Sequence, residues 1–421
     1  MIFFAFSCNS DRKKIAHEFS SREKILKDLL QKGEYFKLKT ILLQNRAILS
    51  ADKFQFYQAF IESAFNHDQN SILLIEDLLK KSSVSIDDPS KVDLLLLLRD
   101  NYFKTYRYKK AAEAGQYILK NYKTILGERI HDVENSLLIH EALKDIPAQK
   151  IDLKKVSLNW TRNKLGLMEV PIRTKTKGLE IVFDTRAHIS TVTQSFAKKL
   201  GLRMLDVSFE ESSGLTGIKF RSGLGIADSL YLGDMLMQHI VFQVLPDEQL
   251  YFPSLDYTLN GILGFQVITQ FNEVQIFRNG DFIISPVSTP SDLNNLAFDG
   301  STTVISAIVN SDTLSFHFDT GANATEFYSN YFNTYNADVI KNGRTDTVET
   351  GGAGGTVKTL DYILPVVHLK IGEKEIALKD VSVHTDPVFK GQRYNGNIGQ
   401  DVITQFDEMI LDFGSMYLRF K

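Results

Sequence analysis

Hydrophobic residues recur at helical spacing through the first third of the chain, then switch to strand-like alternation. Leu38, Ile41 and Leu42 make one stripe, Phe54, Tyr57, Phe60, Ile61 and Phe65 a second, and Ile72, Ile75, Leu78 and Leu79 a third. Positions three and four apart share one helix face, so each stripe predicts an amphipathic helix. Asp88-Pro89 opens a further helix, expected to run through the leucine cluster to about Tyr106, because proline is tolerated in a first helical turn. Ala111, Ala114, Tyr117, Ile118 and Tyr122 give another, and Val133 to Leu143 the last. Breaks fall at Gln31-Lys32-Gly33, Asn66 to Asn70, Ser82 to Asp87 and near Gly127. Proline is limited to Pro89 and Pro147 here, and Leu, Lys, Glu, Ala and Gln dominate, all good helix formers. Residues 11–150 are therefore expected to form an array of antiparallel helical hairpins.

Pro147 to about Asn163 is a transition. From Lys164 the texture becomes alternating, as in Leu165-Gly166-Leu167-Met168-Glu169-Val170-Pro171-Ile172 and Leu179-Glu180-Ile181-Val182-Phe183, which reads as strands. Thr193 to Leu200 predicts a short helix ended by Gly201. Pro286, Ser288, Pro290, Ser291, Asn294, Asn295 and Gly300 mark 287–300 as a linker between two mostly β units, 160–286 and 301–421. Met409 to Phe420 predicts a terminal hairpin.

The two β units are copies. Phe183-Asp184-Thr185-Arg186-Ala187 is matched by Phe318-Asp319-Thr320-Gly321-Ala322, 135 residues on. Gly261-Ile262-Leu263-Gly264 is matched by Gly396-Asn397-Ile398-Gly399 at the same spacing. Val267-Ile268-Thr269-Gln270-Phe271 recurs letter for letter as Val402-Ile403-Thr404-Gln405-Phe406, again at 135. Three landmarks in one register identify a tandem duplication in which each copy contributes one aspartate.

Two carboxylates brought within hydrogen-bonding distance share a proton, since like charges that close cannot both ionise cheaply. The ionised member then takes a proton from water while the protonated member hydrogen-bonds a carbonyl oxygen. Asp184 and Asp319 are the candidate pair. Asp-Thr-Gly-Ala, followed by apolar-apolar-Gly and an amphipathic segment, resembles the retropepsin-like aspartic proteases. Asn397 to Gln405 is similar to the C-terminal signature of that family. The likeness covers about 160–421; it departs at Arg186, where the family has Gly, and at Asn397, where an apolar residue is usual.

The resemblance implies two tandem acid-protease-type β-barrel lobes related by a pseudo-two-fold, and an endopeptidase acting on a peptide or protein substrate. It implies that Asp184 and Asp319 activate water, that Thr185 and Thr320 bond across the interface, and that Gly321, Gly264 and Gly399 support the active loops. Substrate contacts are implied for Arg186, Ala187, Ala322 and Asn323. Each unit also needs a hairpin that closes over the peptide: Gly214 and Gly217 lie in the first candidate, Gly352 and Gly354 in the second. The run Gly351 to Gly355 lacks the following Lys-Ser/Thr of a phosphate-cradling loop. Arg186 leaves two readings open. Directed at the pair, it favours a catalytically inactive peptide-binding or scaffold protein; directed along the cleft, it binds an acidic substrate group and leaves an enzyme. His188 reads as a solvent-facing loop histidine. No histidine spacing suggests a metal, and no cofactor is implied.

The helical array is similar to tetratricopeptide-type repeats, though without a clean consensus period, and serves either as a packed spacer or as a surface for a protein partner. With 43% hydrophobic residues the 421-residue chain has ample material for packed cores. The net charge of −3, with no basic block, argues against nucleic acid. The apolar run Leu94 to Leu98 is closed by Asp93 and Arg99 and is too short to span a membrane. The single cysteine, Cys8, excludes an intrachain disulfide. Residues 1–10, an apolar run and Ser7 ahead of Cys8, resemble the end of a bacterial lipoprotein signal without its basic start. That likeness implies export and a lipid anchor at Cys8 in a bacterial cell envelope; otherwise Cys8 is an inert thiol.

Overall fold

A computed structural model describes residues 22–81, 86–212, 219–352, 355–389 and 391–421. Cys8, Gly214, Gly217 and Gly354 lie outside them. The described chain begins helical: α1 (22–31), α2 (Tyr35–Gln44), α3 (Ala51–Ala64), α4 (Asp68–Lys80), α5 (Asp88–Lys104), α6 (Tyr108–Leu126) and α7 (Ile130–Leu143). Side-chain caps mark two of the helix starts, of which the second falls in an expected break. The Ser50 hydroxyl accepts from the Lys53 N–H at the start of α3, and the Asp87 carboxylate accepts from the Ser90 N–H at the start of α5, with Pro89 in its first turn. Helix α5 stops at Lys104, short of Tyr106, because Tyr106 adopts a positive φ of 58° that ends the ladder. Successive helices pack on one another and bury the predicted stripes, among them Leu38, Leu42, Tyr57, Ile72, Ile75 and Leu78. Among the described residues no helix is long and apolar enough to cross a membrane.

A large β-rich region follows, making the protein mixed α+β. A 12-stranded sheet holds the first copy and an 8-stranded sheet the second, and a 5-stranded sheet joins them. In the joining sheet Glu273–Phe277 of the first copy runs antiparallel to Glu408–Asp412 of the second. Their pairing centres on Gln275 opposite Ile410, residues that are themselves 135 apart. The expected terminal hairpin is present as Glu408–Asp412 with Tyr417–Phe420. The short helix α8 (Gln194–Leu200) is capped by Thr193 and closed by Gly201 in the left-handed region, as the sequence predicts.

One expectation changes, and one element was not anticipated. The linker 287–300 contains a buried strand, Leu296–Asp299, paired with Thr302–Val309. Its apolar run of three is too short to stand out among Pro, Ser and Asn, and burial decides it. The second copy also carries a long helix, α10 (Ser329–Asn342), after the four-residue α9 (Phe265–Ile268) of the first. Its Asn-, Thr- and Tyr-rich sequence has weak helix propensity, so tertiary packing of Tyr331 and Val339 stabilises it.

The helices are not a separate bead. Leu26, Leu38, Leu42, Phe54 and Phe65 share one apolar core with the β region, while Tyr108, Ile139 and Leu143 pack with Phe209, Leu224 and Val241. Polar contacts fix the docking: the Tyr106 hydroxyl and the Gln149 amide both donate to the Gln266 carbonyl, and Asn66 donates to the Phe413 carbonyl.

Candidate active site

Both aspartates follow a strand that ends beside an apolar-apolar-Gly segment. Strand Gly178–Phe183 runs parallel to Gly261–Leu263, with Val182 opposite Ile262 and Phe183 opposite Leu263. Strand Asp312–Phe318 runs parallel to Gly396–Ile398, with His317 opposite Asn397 and Phe318 opposite Ile398. Every partner in one copy maps onto the other by the same shift of 135. The Asp184 N–H donates to the Leu263 carbonyl at 3.1 Å, and the Asp319 N–H to the Ile398 carbonyl at 2.9 Å.

The two loops are tied to each other reciprocally. The Thr185 N–H donates to Thr320 Oγ1 and the Thr320 N–H to Thr185 Oγ1, both at 3.1 Å. Each hydroxyl then donates across, Thr185 to the Phe318 carbonyl and Thr320 to the Phe183 carbonyl, both at 2.7 Å. Both threonines are fully buried, so none of these bonds competes with water. A third hydroxyl, which the sequence did not single out, reinforces them: Thr303 donates to the carbonyls of Thr185 and Phe318.

The predicted glycines are there for close approach. A Cβ on Gly321 would lie 2.3 Å from Asp184 Oδ2, which also shows how near the Asp319 loop comes to the Asp184 carboxylate. A Cβ on Gly264 would meet the Ala187 carbonyl at 2.6 Å, and one on Gly399 the Ala324 carbonyl at 2.6 Å. Behind each loop a hydroxyl steadies the turn: Ser190 accepts from the Gly264 N–H and Thr325 from the Gly399 N–H.

The carboxylates are held unequally. Asp184 Oδ1 accepts from the N–H groups of Arg186 at 2.7 Å and Ala187 at 3.0 Å, and among the described residues no side chain donates to Oδ2. Asp319 Oδ1 accepts from the Gly321 N–H at 2.8 Å, while Oδ2 accepts from Asn397 Nδ2 at 3.2 Å and lies 3.8 Å from Arg186 Nη1. Burial raises the Asp184 carboxyl above the usual carboxylate range, and the neighbouring Asp319 charge adds to this, bringing it to about 7 against the weaker pull of its backbone donors and Arg186. Burial raises Asp319 too, but Arg186, Asn397 and the Gly321 N–H oppose the rise. The two carboxyls therefore titrate as one unit, in which Arg186 and Asn397 favour placing the charge on Asp319.

Arg186 crosses to the second copy. Its Nη1 donates to the Tyr328 hydroxyl at 3.1 Å, and its guanidinium lies over the Phe389 ring, 5.3 Å from the centroid. The side chain stays 24% exposed, half-buried and not sealed in the core. It is neither turned away from the pair nor hydrogen-bonded to it. Asn397 is the residue the sequence undervalued. The mild departure from an apolar position is a polar donor to Asp319, and the polar side chain in an otherwise apolar strand was the available signal.

Other predicted positions are placed as follows. Ala187 and Ala322 use their carbonyls to accept from Phe265 and Gln400 and flank the carboxylates through backbone atoms alone. Asn323, expected at the substrate, is an exposed residue whose amide donates to the Leu165 carbonyl. His188 is exposed, as expected. Gly352 pairs with Gly355 at the end of the hairpin Arg344–Gly352/Gly355–Ile371, and Gly351 approaches Phe252 of the first copy. The first candidate hairpin comprises Phe209–Ser212 and Lys219–Ala227. Phe209 at its base is buried against Tyr108, Ile139 and Leu143 of the helical region.

A buried charge cluster links the second hairpin to this site. His384 lies 3.0 Å from Glu326 through Nε2 and 3.0 Å from Asp361 through Nδ1, and Asp361 belongs to the hairpin strand. Burial opposes the imidazolium, but the two carboxylates outweigh it and raise the His384 pKa. A histidine held charged in this way stabilises the fold below its unfolded pKa, about 6.5, and the contribution is lost as pH rises through the native value. His384→Gln is therefore expected to cost about 1–3 kcal/mol at pH 6 and less at pH 9. Thermal melts of both proteins at the two pH values check this; an equal loss at both would sink it.

No family model matches the chain, and no curated protein matches it either.

Proposed function

We propose that the chain is an aspartic endopeptidase of the retropepsin-like kind, with two tandem acid-protease-type lobes related by a pseudo-two-fold. The observation that carries this reading is the reciprocal Thr185–Thr320 lock, which presents Asp184 and Asp319 side by side from two loops of identical register. The self-centred pairing of Glu273–Phe277 with Glu408–Asp412 supports the two-fold relation. In this reading Asp319, whose ionised form Arg186 and Asn397 favour, takes a proton from a water while Asp184 donates its proton to the scissile carbonyl oxygen. The hydroxyl adds to the carbonyl carbon. Collapse of the tetrahedral species then breaks the C–N bond as the amine takes the proton held by Asp319, and Asp184 recovers its own. The hairpins ending at 212/219 and 352/355 close over an extended peptide. The helical region, a tetratricopeptide-like array in this reading, holds the base of the first hairpin and leaves an outer surface for a protein partner.

Cleavage of a peptide library across about pH 4 to 8 tests it. Activity is expected to fall as pH passes about 7, where Asp184 loses its proton, and to fall again on the acid side as Asp319 gains one. Arg186→Met removes a positive charge that favours ionised Asp319, so the acid limb should move to higher pH while the upper limb moves little. The second reading, an inactive peptide-binding protein, is favoured by the 3.8 Å approach of Arg186 to Asp319. A silent natural protein whose Arg186→Gly variant cleaves peptides would establish that reading.

A further inference from the structure

We propose that Arg186 is the specificity-determining residue of the cleft, reading a substrate carboxylate immediately beside the scissile bond; this rests on the peptidase reading above. The guanidinium carries five N–H donors in a planar fork. Among the described residues one hydrogen bond is made, from Nη1 to the Tyr328 hydroxyl. Asp319 lies at 3.8 Å, within ion-pair reach but outside hydrogen-bonding distance. Glu326, the next acidic group towards Arg186, is engaged by His384 at 3.0 Å. Among the described residues Nε and Nη2 thus make no hydrogen bond, on a side chain that remains 24% exposed.

The geometry of the anchor matters as much as the open donors. Tyr328 fixes one nitrogen, Phe389 supports the planar face, and the Arg186 backbone is pinned because its N–H donates to Asp184 Oδ1. The cation is therefore held in place before substrate arrives, which lowers the cost of pairing with an oxyanion. Because the guanidinium lies 3.8 Å from the Asp319 carboxylate, whatever pairs with it sits next to the reacting carbonyl. A planar carboxylate is the chemical complement of the fork. It has two sources, an Asp or Glu side chain flanking the scissile bond, or the free C-terminus of a peptide ending one residue beyond it.

Matched peptides distinguish these: Glu against Gln beside the scissile bond, and a free acid against an amide one residue past it. The natural protein should cleave one member of a pair with at least about tenfold higher kcat/KM, the discrimination of one charge-assisted pair in a partly desolvated site. The pair that shows it names the source. Arg186→Met should bring the kcat/KM ratio within each pair to about one, whatever it does to the absolute rates, which the shifted acid limb also changes. Equal rates within both pairs overturn carboxylate recognition and leave the peptidase reading intact. Absence of any cleavage overturns the peptidase reading, and the same peptides are then titrated onto the Asp184→Asn protein by fluorescence anisotropy. Tighter binding of the carboxylate members, lost with Arg186→Met, sustains the recognition; equal or absent binding overturns it.

Discussion

On the proposed mechanism, Asp319→Asn is expected to lower peptide cleavage by at least about 10³-fold, with the fold unchanged, because it removes the proposed base. The substitution keeps the shape of the side chain, so the Gly321 N–H retains an acceptor, and the Thr185–Thr320 lock is untouched. Asp184→Asn should be equally inactive for the opposite reason, since it removes the proton donor. Its effect on stability is distinctive. A carboxyl whose native pKa is raised to about 7 binds its proton more tightly folded than unfolded, so it costs stability increasingly as pH rises from the unfolded value towards 7. Asp184→Asn should therefore raise Tm at pH 8 by about 2–5 °C and leave it nearly unchanged at pH 4. Activity assays with melts at both pH values check the pair. Persistent cleavage in Asp319→Asn would exclude the Asp319 role altogether.

The asymmetry behind these expectations was only half legible in the sequence. The shift of 135 was visible in three landmarks, and it reproduces the strand pairing around both aspartates residue for residue. Direct repetition transmits pairing, because each copy's hydrophobic alternation specifies its own register. What repetition does not transmit is the difference between copies. Arg186 and Gly321 occupy equivalent positions, yet the direction of the arginine depends on Tyr328 and Phe389, which are 142 and more than 200 residues away. Asn397 stands where Ile262 stands in the first copy, and only the fold brings its amide to Asp319. Thr303 gave no signal at all, being one β-branched residue in a strand of them. The helical stripes were readable because periodicity records a buried face directly. Helix α10 was not, because packing supplies what its residues lack.

The helical region and the second β copy meet at Asp299, and the largest loss of stability is expected there. Its carboxylate accepts from the Tyr35 hydroxyl at 3.0 Å and the Tyr394 hydroxyl at 2.9 Å and pairs with Arg393. Tyr35 begins α2, while Arg393 and Tyr394 lie in the loop leading to Gly396, so three distant segments converge on one charge. Space around it is tight as well, since a Cβ on Gly33 would lie 2.5 Å from the Tyr394 hydroxyl. Burial opposes the ionised carboxylate, but Arg393 and the two hydroxyls outweigh it and keep its pKa low. Asp299→Ala leaves a guanidinium and two hydroxyls without their acceptor. Breaking a fully buried pair costs about 3–5 kcal/mol. Arg393 keeps 35% of its side chain exposed, and water can serve part of it, so a loss of about 2–4 kcal/mol is expected. Chemical denaturation of the natural and variant proteins measures this at neutral pH. A carboxyl with a lowered native pKa contributes above its unfolded value and loses that contribution as pH falls, so the two proteins should converge in acid. Undiminished stability in Asp299→Ala would mean that the apolar contacts of Leu26, Leu38, Leu42 and Phe65 hold the helices to the β region without this anchor.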